Sequence, residues 1–387
     1  MKQNDNFGHT KLAEQLMKQI ESSQLQGWRY NENNEQIPAK GITFYTYMKS
    51  CLYDPMYGYY MSGETRIGKM GDFYTSSAIG TIFAEILAAN CLQELSSSAE
   101  KLAVIEWGAG TGKLSFQMAE AANRIDPIGA IRLKHWLIDD HAAHRQAAQQ
   151  QSRLSTWIQA EHIAASAQGW ELLAGTDKAI IIANELLDAF SIHRVQRMGD
   201  KLVELGVTSD EEKGFRYMYM PLSSPAIVEL LERDRIKLHE GQITEVNLDA
   251  EAWLLEIFRH MRKGKLILID YGHEAEEFTA EYRMNGTLMC YHRHLASDQP
   301  FLWAGQQDIT AQVCFTSIRH AAEQSGFKVS YYNSQKQFLI DNGLLEMLAD
   351  TTDENPFSEA NRKNRAIRQL LLSDQMSELF KVIILEK

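Results

Sequence analysis

The residues best able to do chemistry fall into two groups: a glycine-punctuated turn, and acids that follow short apolar runs. The turn reads Glu106-Trp107-Gly108-Ala109-Gly110-Thr111-Gly112. It follows the apolar run Leu102-Ala103-Val104-Ile105, and a helical pattern opens at about Lys113. Strand, glycine turn and helix in that order bring bare backbone close to a ligand, because glycine has no Cβ. They also present the unpaired N–H groups of a helix start. Three ligand classes compete for such a turn. A mononucleotide loop requires G-x-x-x-x-G-K-[ST]. Here Trp107 stands where the first glycine belongs, and Leu114 stands where a hydroxyl should meet magnesium. A dinucleotide turn requires G-x-G-x-x-G, and position 113 is Lys113. What remains is acid-x-G-x-G-x-G, the pattern of a loop that cradles the methionine part of S-adenosylmethionine (SAM). Glu106, Gly108, Gly110 and Gly112 are then the candidate cofactor contacts. An acid at the end of the next strand would hold the ribose hydroxyls, and Asp139, with Asp140 beside it, is in place.

These groups need a frame. Trp136 to Ile138, Ala179 to Ala183 and Leu266 to Ile269 are continuous apolar runs ending in Asp139, Asn184 and Asp270. Continuous runs suit a parallel sheet buried on both faces. Acids at strand C-termini sit where open α/β sheets bind ligands. Phe327 to Tyr332 and Phe380 to Leu385 are two further strands, and the final one suits an antiparallel strand tucked into the sheet. The fold class is therefore α/β, a Rossmann-like methyltransferase sheet, mostly parallel with the last strand antiparallel. Helical spacing marks residues 10–23, 42–53 and 77–95, while 31–36 is a polar, Asn-rich stretch. Residues 196–263 break the strand–helix rhythm, with helices expected over 226–238 and 250–262. The expected organisation is an N-terminal helical segment and loop over 1–75, a core over 76–195 and 264–387, and a capping insertion over 196–263.

Composition narrows the partners. The chain has 387 residues and a net charge of −12. An acidic chain lacks the basic field that a nucleic-acid backbone needs, and it weakly favours cationic partners. No apolar run approaches the ~18 residues of a membrane span, so no membrane is expected. Cys51, Cys91, Cys290 and Cys314 form no C-x-x-C pair, which fits a reducing, cytoplasmic setting. His292 and His294 flank Arg293 in an H-x-H that could hold a metal, but no third ligand lies at useful spacing and no metal is expected. That segment reads as a substrate loop or as plain surface. Tyr45, Tyr47, Tyr57, Tyr59 and Tyr60 could line a cage for a cation or pack the N-terminal helices.

Ordered blocks point further. Leu52-Tyr53-Asp54-Pro55 with Gly58-Tyr59-Tyr60, then Gly71-Asp72-Phe73 with Thr75-Ser76, then Ala183-Asn184-Glu185-Leu186-Leu187-Asp188-Ala189 and Ile269-Asp270-Tyr271-Gly272 resemble the MidA-like methyltransferases. Gly286-Thr287-Leu288, Tyr291, His294 and Gln307-Asp308-Ile309-Thr310 continue the resemblance in family order over roughly residues 40–345. The family includes a mitochondrial enzyme that methylates arginine during complex I assembly. The resemblance therefore implies SAM as cofactor and an arginine-bearing protein as substrate. It adds Gly71, Asp72, Phe73, Thr75 and Asn184 to the cofactor contacts. Three departures stand out. Thr75-Ser76-Ser77-Ala78-Ile79-Gly80 replaces T-S-P-E-I-S, Ala109 replaces the proline of G-P-G, and Val313-Cys314-Phe315 replaces V-D-F.

Methyl transfer from a sulfonium is an in-line displacement, so the protein mainly positions and desolvates the nucleophile. A guanidinium stays protonated, with a pKa above ~12. A carboxylate can grip it bidentately and orient one nitrogen. Glu185 and Asp188 are the first candidates for that grip, and Asp270 and Asp308 the second pair. A small-molecule methyltransferase and a non-catalytic SAM-binding assembly factor stay open beside the protein-arginine reading, as does a homodimer.

Overall fold

A computed structural model describes residues 9–61, 80–95, 101–210, 214–349, 355, 358–372 and 376–387. Contacts divide the chain into two compact units. One comprises residues 1–66, 187–254 and 273–321, the other residues 67–186, 255–272 and 322–387. The sequence reading confines the insertion to 196–263. The first unit also takes in 273–321, because the strands there pack with the N-terminal helices in one core.

The second unit is built on a sheet in the order Lys328–Ser334, Phe380–Glu386, Gly264–His273, Ala179–Asn184, Leu102–Trp107, Leu133–Ile138, Ile163–Ala164. The strands Gly264–His273, Ala179–Asn184, Leu102–Trp107 and Leu133–Ile138 run parallel. Phe380–Glu386 is antiparallel to both of its neighbours. Leu102–Trp107 is buried along its whole length, and Ala179–Asn184 up to its last residue. That burial is the reason their sequences are unbroken apolar runs rather than alternating ones. The helix Gly80–Leu95 lays Ile82, Phe83, Ile86, Leu87 and Cys91 on this core. Helix Lys113–Ile125 begins behind Gly112 and buries Phe116, Met118, Ala119 and Ala122.

The first unit is mainly antiparallel. Its sheet runs Ile243–Val246, His193–Met198, Lys201–Asp210, Gly214–Met220, Gln26–Tyr30, Gln36–Lys40. The Asn-rich stretch is the turn of a hairpin. Asn31 Oδ1 accepts from the amides of Asn33 and Glu35, and Asn34 takes a left-handed φ of 60°. Gly199-Asp200 joins two further strands in register Met198↔Lys201. Helix Thr10–Ser22 buries Leu12, Leu16 and Ile20, spaced by four, and helix Phe44–Tyr53 buries Phe44, Tyr47, Met48, Cys51 and Leu52. Within the expected insertion the helices are Ala226–Arg233 and Leu248–His260. A small sheet, Leu295–Ser297, Met289–His292 and Asp308–Thr310, completes the unit.

Candidate active site

The glycine turn is held from below and from one side. Gly108, Gly110 and Gly112 take φ values of 75°, 55° and 81°, a region that costs residues with a Cβ about 1–2 kcal/mol each. The amides of Gly108 and Ala109 both donate to the Ile138 carbonyl, at 2.8 and 3.0 Å, which ties the turn to the end of the neighbouring strand. Glu106 is buried at the end of its own strand. Its Oε2 accepts from the Ser115 amide at 3.0 Å and from the Ser115 hydroxyl at 2.5 Å. It thereby satisfies one of the orphan N–H groups of the helix start, which Gly112 has no side chain to cap. Ser115 was not visible as part of the site in the sequence, although a serine three residues past Gly112 is the signal that could have shown it. Burial pushes the Glu106 carboxyl up to about 7, against the pull of the Ser115 hydrogen bonds and helped by the charge of Asp139.

Asp139 closes the turn. Its Oδ2 accepts from the Gly110 amide at 2.7 Å and its Oδ1 from the His141 amide at 2.8 Å. His144 Nδ1 lies 3.5 Å from the same Oδ1, in a ring stacked on His141. A carboxylate offers about four acceptor directions, so Asp139 keeps room for a ligand hydroxyl beside the loop amide. Asp140 is occupied elsewhere, by the amide and hydroxyl of Ser166, both at 2.8 Å.

Glu185 follows the end of Ala179–Asn184, whereas Asp270 lies inside Gly264–His273, a strand that continues three residues past the position where the sequence ends it. Glu185 stands in left-handed backbone, φ 52°. Its amide donates to the Ile269 carbonyl at 2.8 Å, and its Oε1 accepts from Asn184 Nδ2 at 3.2 Å. Asp270, the next residue along that strand, is 1% exposed and takes the Tyr271 amide at 2.9 Å. A non-glycine residue in that conformation persists only where its surroundings over-determine it, and such residues gather at functional sites.

Asp188 and Asp308 lie in the first unit, so the four acids group as Glu185 with Asp270 and Asp188 with Asp308 rather than in the pairs drawn from sequence. The turn Leu187–Ala189 is pinned by its carbonyls. Asn247 donates to Leu187, Ala311 to Asp188 and Tyr53 to Ala189. Asp308 is fully buried and accepts from the Tyr60 hydroxyl at 2.8 Å. The Leu52–Tyr60 block explains how Tyr60 arrives there. Asp54 Oδ1 takes the amides of Met56 and Tyr57, and a Cβ on Gly58 would stand 2.5 Å from the Asp54 nitrogen. The chain therefore folds back, and Tyr60 N donates to the Leu52 carbonyl. Burial raises the Tyr60 and Tyr291 hydroxyl pKa values, and the charges of Asp308 and Asp188 raise both further. Two buried carboxylates and two half-buried tyrosines thus share one neighbourhood. The sequence offers Tyr60 as part of a cation cage or of the packing of the N-terminal helices, and does not show its link to Asp308. Among the others of that set, Tyr47 and Tyr59 are core residues, Tyr45 stacks on His193, and Tyr57 packs on His9.

A family model described as "Putative S-adenosyl-L-methionine-dependent methyltransferase" matches residues 85–333. The chain belongs to this family. Relatives of the methyltransferase include the mitochondrial protein arginine methyltransferase NDUFAF7 of Mus musculus, 25% identical over 81% of this chain and 74% of that protein. The Drosophila melanogaster homolog is 26% identical over 82% and 71%. A Burkholderia thailandensis structure described as a "likely methyl transferase", bound to S-adenosyl-homocysteine (SAH), is 28% identical, covers 98% of this chain and 92% of that one, and superposes with a TM-score of 0.81. The fold is that of SAM-dependent methyltransferases with a mixed α/β sheet, and the cofactor is SAM.

The residues present fit that cofactor. SAM carries no phosphate, and the turn has no hydroxyl at 114 to serve one. Its ribose hydroxyls are donors, and the carboxylate beside the Gly110 amide is the acceptor they need. If Asp139 holds the ribose, Asp139→Ala removes a charge-assisted bond of about 1.5–3 kcal/mol and weakens SAH by about tenfold or more by calorimetry. Asp140→Ala should leave the affinity unchanged, and the reverse result would move the ribose contact to Asp140. Gly71, Asp72, Phe73 and Thr75, and the 75–80 departure except Gly80, lie outside the described residues. No cluster of three metal-ligating side chains occurs among the described residues. His292 instead stacks on Trp303.

Glu106 gives the fold a pH dependence. Its folded pKa lies above its ordinary value of 4.5. Its contribution is therefore complete below about pH 4.5 and is lost as pH rises through about 7. Each pKa unit is about 1.4 kcal/mol. Denaturant midpoints of wild type should fall from pH 5 to pH 8 relative to Glu106→Gln, whose side chain stays neutral. Parallel pH curves for the two proteins would remove Glu106 as the titrating group.

Proposed function

We propose that this methyltransferase transfers the methyl group of SAM to an arginine side chain of a protein. The observation that carries the reading is the pair of buried carboxylates Asp188 and Asp308 beside the half-buried Tyr60 and Tyr291, which suits a cation with several N–H donors. The named activity of the NDUFAF7 relatives supports it. SAM supplies an electrophilic methyl on positively charged sulfur. The protein's task is then to hold and orient a nucleophilic nitrogen. Asp188 and Asp308 are assigned to the guanidinium charge, with Tyr60 fixing Asp308 in place. Glu185 and Asp270 orient the accepting nitrogen. Gly108, Gly110, Gly112 and Asp139 are assigned to the cofactor, with Glu106 and Asn184 bracing them. A cytoplasmic location belongs to the same proposal, on the strength of four cysteines that are all free thiols.

The test is mass spectrometry of total protein from cells with and without this gene. A methyl-arginine lost from one acceptor in the deletion and restored by the wild-type gene supports the reading. An unchanged methyl-arginine inventory overturns it.

A further inference from the structure

The hairpin of Met289–His292 and Leu295–Ser297 turns on only two residues, Arg293 and His294, since His292 pairs directly with Leu295. Both turn residues are left-handed, with φ of 48° and 66°. A two-residue turn of this kind needs positive φ at both positions, which is why Asn-Gly usually fills it. Arg and His carry a Cβ and are strained there. Their side chains do not recover that cost locally. Both are exposed, and neither hydrogen-bonds nor ion-pairs with any described residue. Leu295, next along, is 72% exposed. The tip thus presents a guanidinium, an imidazole and an apolar side chain on a protein of net charge −12.

The same strand reaches the buried carboxylates. Tyr291 sits directly opposite Asp308 in the ladder, and its hydroxyl responds to the charges of Asp308 and Asp188. A strand advances about 3.4 Å per residue, so the tip begins roughly two residues, about 7 Å, from Tyr291. An extended peptide lying along this strand with an arginine at the carboxylates would bring a residue two or three positions away to the tip.

We propose that the Arg293–His294–Leu295 tip selects the methyl acceptor by holding an acidic side chain two or three residues from the methylated arginine, with an apolar neighbour against Leu295. The proposal rests on the protein-arginine reading above. A turn that only joined two strands would be better made of Asn-Gly. Arg293 and His294 give up that advantage and place two donors where a carboxylate can meet them.

The probes are two peptides of equal length with one central arginine. One carries Asp at the second and third positions on either side, the other Asn at the same places. Methyl incorporation from tritiated SAM and binding by fluorescence anisotropy are measured for wild type and for the double variant Arg293→Asn/His294→Gly. Wild type should favour the Asp peptide by about tenfold in kcat/KM, the effect of one charge-assisted contact. Added salt should erode that preference. The variant should favour it by less than about twofold, with SAH affinity unchanged and Tm equal or higher because the strain is relieved. Equal use of both peptides by wild type, or a preference retained by the variant, overturns the proposal. If neither peptide accepts a methyl group, the methyl-arginine comparison alone decides the arginine reading. Anisotropy then still decides the tip: binding of the Asp peptide that the variant loses supports it, and equal binding of the two peptides overturns it.

Discussion

Glu185→Gln should leave SAM affinity near wild type and lower methyl transfer by about 100-fold or more, the cost of a nucleophile misplaced by about an ångström. The substitution keeps the side-chain shape. Its amide oxygen can still accept from Asn184 Nδ2, and its backbone can still donate to Ile269. Only the negative charge is lost. The backbone supplies a second handle. At φ 52° both Glu and Gln are strained and glycine is not. Glu185→Gly relieves that backbone strain and removes the side chain with its Asn184 contact. If the carboxylate orients the acceptor, Glu185→Gly is as inactive as Glu185→Gln. Turnover per folded molecule that survives in both variants would remove Glu185 from the chemistry. Loss of SAM binding with the fold intact would move it to the cofactor side. The acceptor for these assays is the protein identified by the methyl-arginine comparison.

The parts of the fold that could be read in advance are those where burial dictates sequence. Leu102–Trp107, Ala179–Asn184 and Gly264–His273 lie in the middle of a sheet, so each carries an apolar run, Leu102–Ile105, Ala179–Ala183 and Leu266–Ile269, followed by a polar residue. The antiparallel final strand was equally legible. The strands of the first unit were not, and two of them are half-exposed. Gln26–Tyr30 and Gln36–Lys40 contain no fully buried residue, and nothing in their composition separates them from loop. Gly199-Asp200 between Met198 and Lys201 is a two-residue hairpin signal that the search for strand–helix alternation passed over. The candidate site divides in the same way. Glycines and strand-end acids announce themselves locally. The link from Tyr60 to Asp308 spans 248 residues, and the grouping of Asp188 with Asp308 arises from tertiary packing that no local pattern encodes.

Gly110→Val should weaken SAH binding by about 5- to 30-fold while leaving the protein folded. Each glycine of the turn fails for a different reason, and only this one isolates the cofactor. A Cβ on Gly112 would stand 2.3 Å from Leu137 Cδ2 and 3.0 Å from Phe116 Cε2, inside a hydrophobic cluster. Substitution there therefore strains the core and lowers Tm. A Cβ on Gly108 would meet Leu186 Cδ1 at 2.9 Å, the end of a flexible side chain that can yield. Gly110 has φ 55° and donates its amide to Asp139 Oδ2 at 2.7 Å. A β-branched residue is a genuine outlier at that φ. Valine must either bear about 1–2 kcal/mol of strain or swing to negative φ. The swing turns the amide away from Asp139 and forfeits a charge-assisted bond of about 1.5–3 kcal/mol. Restoring the binding-competent turn re-forms that bond and costs at most the strain, about 1–2 kcal/mol, which is roughly 5- to 30-fold in affinity. Calorimetry with SAH, paired with a thermal melt, reads both quantities. Wild-type affinity in a folded Gly110→Val protein would show that the cofactor does not depend on this turn. A collapse of Tm alongside the weaker binding would make Gly110 a folding residue, as Gly112 is expected to be.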